Sequence, residues 1–239
     1  MTFDRTCILC TPRSGSQLCE KLLQQTQLEK YIHFGEYFEK WNQSTYIIEN
    51  NIVKQHIYQN KRNDYGIDES FKTRLSSLKS LQQPISLRLF CLYSYDIKTL
   101  QYIIDELRSF NFKFLVLTRN NKKEQLLSWL IARSYTDTFK HNVFGANSKL
   151  DNKVYIDIQK YRNTIGNFVL TYRYWETMMQ ELLPTLEIKK VIYESIYHDM
   201  KLHYGIEFTT IGEKTIDKAY NEYVQNYDEV NQHLDKFLA

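Results

Sequence analysis

The sequence has no long apolar run, no leader-like start and no strong net charge. No apolar segment approaches the ~20 residues that a helix needs to cross a bilayer, so we expect no transmembrane segment. The amino-terminal MTFDRTCILC contains an acidic residue and only a short apolar run, which is untypical of a signal peptide. The net charge of +3 is too small to indicate a nucleic-acid partner, although it suits an anionic small ligand.

Cysteines are few, and no second pair accompanies the one C-x-x-C spacing. The chain has four cysteines, of which Cys7 and Cys10 form that spacing. The spacing raises a metal or redox site as one interpretation, but both residues lie within an apolar strand pattern. We therefore predict buried free thiols, no metal site and a reducing compartment, the cytoplasm.

Short apolar runs alternate with amphipathic stretches along the chain. With 43% hydrophobic residues and a length of 239, the sequence fits one α/β domain spanning 1–239. This alternation predicts a central, mostly parallel sheet flanked by helices, with acceptor-binding insertions at 43–83 and 136–153. Asn121 and Glu124 are spaced as a capping pair for one of these helices. Predicted strands cover 6–11, 85–92, 112–118 and 188–193, and predicted helices cover 16–28, 96–110, a segment starting near 121, 154–182 and 214–237.

The stretch TPRSGS, residues 11–16, joins the first predicted strand to the first predicted helix. Backbone N–H groups converge at such a turn and add to the positive end of the helix dipole. Gly15 permits close approach of the backbone, and Arg13 supplies a permanently charged fork of donors. Hydroxyl donors come from Thr11, Ser14 and Ser16. We predict an anion site here; the alternative is an ordinary turn in which a serine only caps the helix.

A second candidate anion contact follows the strand at 112–118. Arg119 comes directly after this strand, and Ser128 lies two turns into the next helix. Because ligands bind beyond the carboxyl ends of parallel strands, Arg119 is expected to reach the same crevice as the first loop. Alone, Ser128 is an ordinary helix residue, whereas together with Arg119 it forms a second clamp for a phosphate.

The two motifs, in this order, resemble the sulfotransferase family. TPRSGS is similar to the loop that binds the 5′-phosphosulfate of 3′-phosphoadenosine 5′-phosphosulfate, and LTRNNKKEQLLSWLIA is similar to the motif for its 3′-phosphate. HFGEYF, residues 33–38, is similar to a segment of bacterial sugar sulfotransferases of the trehalose type. KKVIYESI is similar to a late strand that ends in Tyr-Glu in these enzymes.

The resemblance implies a P-loop-like, three-layer α/β fold and transfer of a sulfuryl group to an acceptor hydroxyl without a metal. The second product is then adenosine 3′,5′-bisphosphate, and the acceptor is a small molecule or glycan, with carbohydrate or glycolipid preferred. The resemblance implies that Arg119 and Ser128 bind the 3′-phosphate, with Lys214 as a further candidate. Whether the protein is a monomer or a homodimer stays open. The loop residues implied for the 5′-phosphosulfate are Thr11, Pro12, Arg13, Ser14, Gly15, Ser16 and Gln17.

The catalytic groups are less closely defined than the donor site. Arg13 is expected to neutralise charge on the leaving oxygen. The resemblance implies Glu36 as the base that takes the acceptor proton, and His33 is the second candidate. Arg88, in the middle of a predicted strand, is expected to face the substrate crevice or to pair with a carboxylate such as Glu36. Glu194 is expected to pair with an arginine rather than to catalyse.

Two rival functions stay open on the sequence alone. The first is another nucleotide-dependent transferase, such as a P-loop kinase, but a Walker A loop needs G-x-x-x-x-G-K-[ST], and TPRSGS has one glycine and no lysine. The second is a non-catalytic relative that binds nucleotide without turnover. The intact set of Arg13, Arg119 and Ser128 favours the active enzyme over this second rival.

Overall fold

A parallel sheet organises the chain, which the computed structural model describes over 5–26, 32–34, 44–49, 52–57, scattered positions from 72 to 81, 83–91, 97–139, 152–209 and 219–238. Strands β3 and β4 pair antiparallel as a separate hairpin, and the other five form the sheet. The strands are β1 (Arg5–Cys10), β2 (Ile32–His33), β3 (Ser44–Glu49), β4 (Ile52–Ile57), β5 (Ile85–Phe90), β6 (Lys113–Thr118) and β7 (Ile188–Ile192).

Helices connect and flank the strands. The α-helices whose bounds are described are α1 (Ser16–Gln25), α2 (Ile97–Ser109), α3 (Lys122–Phe139), α4 (Arg162–Glu181), α5 (Ile196–Tyr204) and α6 (Tyr227–Leu238). The scattered described positions 72, 75, 76, 78 and 79 are also helical. Short 3-10 turns follow α4 and β7 and precede α6, at Leu183–Thr185, Tyr193–Ser195 and Tyr220–Glu222. None of the helices in these ranges is both long and apolar enough to cross a membrane.

Strand β1 lies at the centre of the sheet, whose order is β2-β5-β1-β6-β7 with every pair parallel. All of its residues except Arg5 are buried, as a strand covered on both faces requires. The chain places β2 and β5 on one side of β1 and then crosses to the other side for β6 and β7. Open α/β sheets bind ligands at such a change of direction, beyond the carboxyl ends of the strands. The loop after β1 is at that point.

Two apolar clusters stabilise this arrangement. One combines the sheet with α1, α2 and the last turns of α4, and the other joins α3, the first half of α4 and α6. The buried stripe of α2 recurs at three- and four-residue spacing, as predicted for an amphipathic helix. That stripe consists of Leu100, Ile103, Ile104 and Leu107.

The predicted α/β architecture is confirmed, with a central parallel sheet flanked by helices, and most element boundaries agree within three residues. The predicted helix 154–182 is wrong at its start, because α4 begins at Arg162. Val154, Ile156 and Ile158 are buried alternately along an extended segment, and Val154 pairs with Val224 in an isolated parallel bridge. Burial of every second residue is typical of a strand, and in the sequence this spacing runs without a break into the helical spacing of α4.

Three further expectations need correction or fall partly outside the described residues. Helix α3 continues to Phe139, so residues 136–139 of the predicted loop 136–153 are helical, and 140–151 lie outside the described residues. The predicted carboxyl-terminal helix 214–237 starts at Tyr227, and 210–218 lie outside the described residues. The expected insertion 43–83 contains the β3–β4 hairpin, and much of the rest of it is outside the description.

The four cysteines are confirmed as buried free thiols. Cys7 and Cys10 are both fully enclosed in β1. Burial raises the pKa of Cys10 to about 12, although the Arg88 charge and the Ser14 and Ser16 hydroxyls act in the opposite direction. A thiol with such a pKa is protonated at neutral pH and behaves as a small apolar side chain.

Candidate anion-binding site

The loop between β1 and α1 has two residues in the left-handed region. β1 ends at Cys10, and α1 begins at Ser16 with Gly15 as its N-cap residue. The φ angles of Arg13 and Gly15 are 61° and 91°. No side chain of the described residues caps this end of α1 by a hydrogen bond. The N–H groups of the first turn therefore stay available as donors, and the positive end of the helix dipole lies at this loop.

The Tyr193 ring packs directly on the backbone of Gly15. A Cβ atom at position 15 would lie 2.2 Å from Tyr193 Cδ2 and 2.5 Å from Cε2. The left-handed φ of Gly15 is itself strained for any residue with a Cβ atom. Both the close approach of Tyr193 and the backbone conformation therefore require glycine here.

The guanidinium of Arg13 contacts the hydroxyl of Ser128. Arg13 Nε and Nη2 donate to Ser128 Oγ at 3.3 and 3.1 Å, and Ser128 is buried on α3. Burial lowers the pKa of Arg13, and the like charge of nearby Arg119 lowers it further, while Tyr220 acts in the opposite direction. The two arginines predicted to hold opposite ends of the ligand are thus close enough for their charges to interact. An anion between them would relieve this repulsion.

Arg119 is almost enclosed, with its side chain 8% exposed. Its Nη1 lies 3.5 Å from the Arg13 carbonyl oxygen, and its Nη2 donates to Glu124 Oε2 at 3.1 Å and to Tyr220 Oη at 3.2 Å. The Tyr193 ring stacks on the guanidinium at 4.7 Å. Burial lowers the pKa of Arg119, but Tyr220, Tyr193 and Glu124 outweigh it, and the net shift is upward. The charge of Arg119 is therefore held in place by several groups at once.

Glu194 follows β7 and binds the start of α3. Its carboxylate oxygens accept the backbone N–H groups of Asn120 and Asn121, each at 3.1 Å, and Oε1 lies 3.8 Å from Arg119 Nε. Burial raises the pKa of Glu194, but the two N–H donors and Arg119 lower it more, and the net shift is downward. The prediction that Glu194 pairs with an arginine is confirmed.

Gln125 ties α3 to the loop, a role that the sequence did not indicate. Its Nε2 donates to Thr11 Oγ1 at 3.0 Å and also to the Pro12 carbonyl oxygen, while its Oε1 accepts from the Tyr172 hydroxyl. Burial raises the pKa of Tyr172 to about 12. Gln125 and Ser128 are three residues apart and therefore share one face of α3, which is the signal that could have identified the pair.

Arg88 lies beneath the amino-terminal end of α1. Its Nε pairs with Glu20 Oε2 at 3.2 Å, and its Nη1 donates to Ser16 Oγ at 3.3 Å. The side chains of Arg88 and Glu20 are only 11% and 9% exposed, so each charge would be costly to bury without the other. Glu20 is thus a carboxylate partner of Arg88, whereas Glu36, the partner considered from the sequence, lies outside the described residues. Arg88 also reaches the predicted loop through Ser16.

The remaining predicted residues are less informative. Ser14 is fully buried beside the Cys10 thiol, and its hydroxyl has no nitrogen or oxygen partner in the described part of the chain. Only the backbone of His33 is described, on the edge strand β2. Glu36 and Lys214 lie outside the described residues. Gln17 is partly buried in the first turn of α1.

Two residues of the site, Tyr193 and Tyr220, had no role assigned from sequence. Tyr193 lies in KKVIYESI, where its position directly after a strand was the available signal. Tyr220 is 101 residues from Arg119, and no local pattern marks it as a neighbour. Over the described ranges, no three His, Cys, Asp or Glu side chains are grouped so that they could hold a metal ion.

Comparison with known proteins adds no identification. No protein-family model matches the sequence. A search of curated proteins also found no match. The assignment of a function to this site therefore depends on the motifs and on the geometry of the described residues.

Proposed function

We propose that the protein is a sulfotransferase that uses 3′-phosphoadenosine 5′-phosphosulfate as donor and a hydroxyl compound as acceptor. The observation that carries this proposal is the contact of Arg13 with Ser128. Arg119 lies beside this contact, with its Nη1 3.5 Å from the Arg13 carbonyl oxygen. Three residues chosen from two separate motifs thus share one site. The central position of β1 and its loop supports the further proposal of a P-loop-like fold.

The residues fit a ligand with an anionic group at each end. The uncapped amino terminus of α1, Gly15 and Arg13 would hold the 5′-phosphosulfate, since N–H groups and a guanidinium are all donors. Arg119 and Ser128 would hold the 3′-phosphate. A guanidinium can only donate, so Ser128 Oγ accepts from Arg13 and keeps its own hydrogen for the ligand. The same holds for Ser16, which accepts from Arg88.

The bound donor supplies an activated sulfuryl group. In the reaction, a bond forms between the acceptor oxygen and sulfur, and the bond from sulfur to the bridging phosphate oxygen breaks. Arg13 stabilises the negative charge that appears on that bridging oxygen. The acceptor proton goes to a base, for which Glu36 is the first candidate and His33 the second. These residues need only position and neutralise, as in phosphoryl transfer through a loose transition state.

The nature of the acceptor and the setting complete the proposal. We propose a carbohydrate or glycolipid-like acceptor, because of the likeness of HFGEYF to the trehalose-type enzymes, and action in the cytoplasm as a monomer or homodimer. A kinase is disfavoured because TPRSGS has no lysine for the nucleotide phosphates. A non-catalytic nucleotide-binding relative is the second candidate.

The test combines binding and turnover. We expect adenosine 3′,5′-bisphosphate to raise the melting temperature of the protein more than adenosine 5′-phosphate does, because only the first ligand has a group for Arg119 and Ser128. Transfer of labelled sulfate from the donor to a panel of sugars, glycolipids and peptides then tests catalysis. Binding without transfer to any acceptor would favour the non-catalytic candidate, and no binding of either nucleotide would contradict both.

A further inference from the structure

Two carboxylates contact Arg119, but they are held differently. Glu194 accepts two backbone N–H groups at the start of α3, so its position is fixed independently of Arg119. Glu124 is 46% exposed at its side chain, and within the described residues its carboxylate contacts only Arg119 Nη2, at 3.1 Å. The Glu124 carboxylate can therefore leave with fewer interactions lost.

The helix cap of α3 does not need the Glu124 carboxylate. Asn121 Oδ1 accepts the backbone N–H of Glu124 at 3.0 Å, which is one half of a capping box. In a complete box, the glutamate would accept the N–H of Asn121 in return. Here that N–H donates to Glu194 Oε1 at 3.1 Å. Glu194 thus takes the capping position and leaves Glu124 available for Arg119.

The outer nitrogen of Arg119 has no donor left for a ligand in this arrangement. Nη2 carries two hydrogens, and they are directed to Glu124 Oε2 and Tyr220 Oη. A phosphate that binds Nη2 must displace one of these two oxygens. The Glu124 side chain is nearly half exposed and carries a negative charge, which would repel the incoming phosphate if it stayed.

We propose that Glu124 is a placeholder for the 3′-phosphate: its carboxylate occupies Arg119 Nη2 in the ligand-free protein and is displaced when the dianionic phosphate binds. This inference rests on the proposed function, in which Arg119 binds that phosphate. The placeholder keeps the buried guanidinium neutralised and oriented between turnovers. It also competes with the 3′-phosphate of the product and so assists its release.

The test compares Glu124→Gln with the wild type in calorimetric titrations of two nucleotides. We expect the variant to bind adenosine 3′,5′-bisphosphate about two- to fivefold more tightly, the size expected for loss of one partly exposed ion pair. Adenosine 5′-phosphate has no 3′-phosphate to displace Glu124, so its affinity is expected to stay unchanged. Glutamine preserves the length of the side chain, and position 124 is nearly half exposed, so we expect the variant to fold like the wild type.

Glu176→Gln is the matched control. Glu176 is exposed on α4 and pairs with Lys122 in the first turn of α3, so the variant makes the same change of charge near the same helix end without touching Arg119. Tighter binding by this control, or equal tightening of both nucleotides by Glu124→Gln, would show a general charge effect and overturn the inference. If the wild type binds the bisphosphate and Glu124→Gln binds it no better, the inference fails while the proposed function stands. If neither protein binds either nucleotide, both fail.

Discussion

Arg13 and Ser128 are 115 residues apart in the chain, and the Arg13 guanidinium donates to the Ser128 hydroxyl from two nitrogens. This contact joins the loop after β1 to the helix after β6, the two elements that follow neighbouring strands of the sheet. It also sets the direction of the Ser128 hydroxyl, because an oxygen that accepts from arginine retains its own hydrogen as a donor. Binding of an anion at one of these two residues should therefore affect the other.

Replacement of Arg13 by alanine is expected to reduce sulfuryl transfer by about 10²–10³-fold, since it removes a preorganised donor for the leaving oxygen. Arg13→Lys should be intermediate, because lysine keeps the charge and loses the planar fork. The measurement is transfer of labelled sulfate at saturating donor, with circular dichroism to establish that each variant is folded. Arg108→Ala, an exposed arginine in the last turn of α2, should leave the rate unchanged. Wild-type turnover in Arg13→Ala would remove Arg13 from the mechanism.

Ser128→Ala is expected to weaken binding of adenosine 3′,5′-bisphosphate about tenfold or more, as for loss of a hydrogen bond to a charged group. Ser134→Ala is a matched control on the same helix, where a buried serine donates to the Tyr155 carbonyl oxygen at 2.8 Å, away from the loop. Both variants remove a buried serine hydroxyl together with its hydrogen bonding, but only Ser128→Ala should change the affinity measured by calorimetry. Equal effects of the two substitutions would mean that Ser128 has only a structural role.

Four strands of the sheet and most of the described helices were predictable because their patterns are local, whereas β2 and the β3–β4 hairpin were not predicted. β1 and β6 are continuous apolar runs, and α2 has a clear stripe at helical spacing. The start of α4 was not predictable in the same way. Residues 154–158 bury every second side chain, and Val154 pairs with Val224, a contact that no local pattern contains. An extended segment followed by a short turn and a helix can resemble one longer helix in the sequence.

The site was predictable only in the parts that follow strands in recognisable motifs. Arg13, Arg119 and Ser128 come from two such motifs, and the parallel sheet brings them together. Tyr220 reaches Arg119 from the carboxyl-terminal region through tertiary packing, which spacing along the chain does not encode. Arg88 needed a carboxylate because it is nearly enclosed, but the choice of Glu20 depends on how α1 packs over β5.

Gly15→Ala is expected to destabilise the protein by more than the 1–2 kcal/mol typical of a left-handed alanine, because the new Cβ atom also collides with the Tyr193 ring. A double-mutant cycle with Tyr193→Ala separates the two causes. The double variant should regain the part due to the collision and retain the part due to the backbone, as measured by urea unfolding. Strictly additive free energies of unfolding would mean that the ring moves aside at no cost.

Glu194→Gln is expected to change the pH dependence of stability. The pKa of Glu194 is lowered in the folded protein from its usual value of 4.5, mainly by the Asn121 and Asn120 N–H groups acting against burial, with Arg119 adding to their effect. A lowered pKa contributes stability that is fully present above the unfolded value and is lost as the pH falls through the folded value. The melting temperature of the wild type should therefore exceed that of the variant most at neutral pH, with the difference shrinking below pH 4.5.

The matched control for this titration is Glu187→Gln, an exposed glutamate just before β7. Because Glu194 binds the backbone at the start of α3, its charge stabilises the helix that carries Ser128. A fall in affinity for adenosine 3′,5′-bisphosphate should then accompany the loss of stability in Glu194→Gln, whereas Glu187→Gln should show neither. A difference in melting temperature between wild type and Glu194→Gln that stays constant from pH 7 to pH 3 would show that the carboxylate acts through its shape and not through its charge.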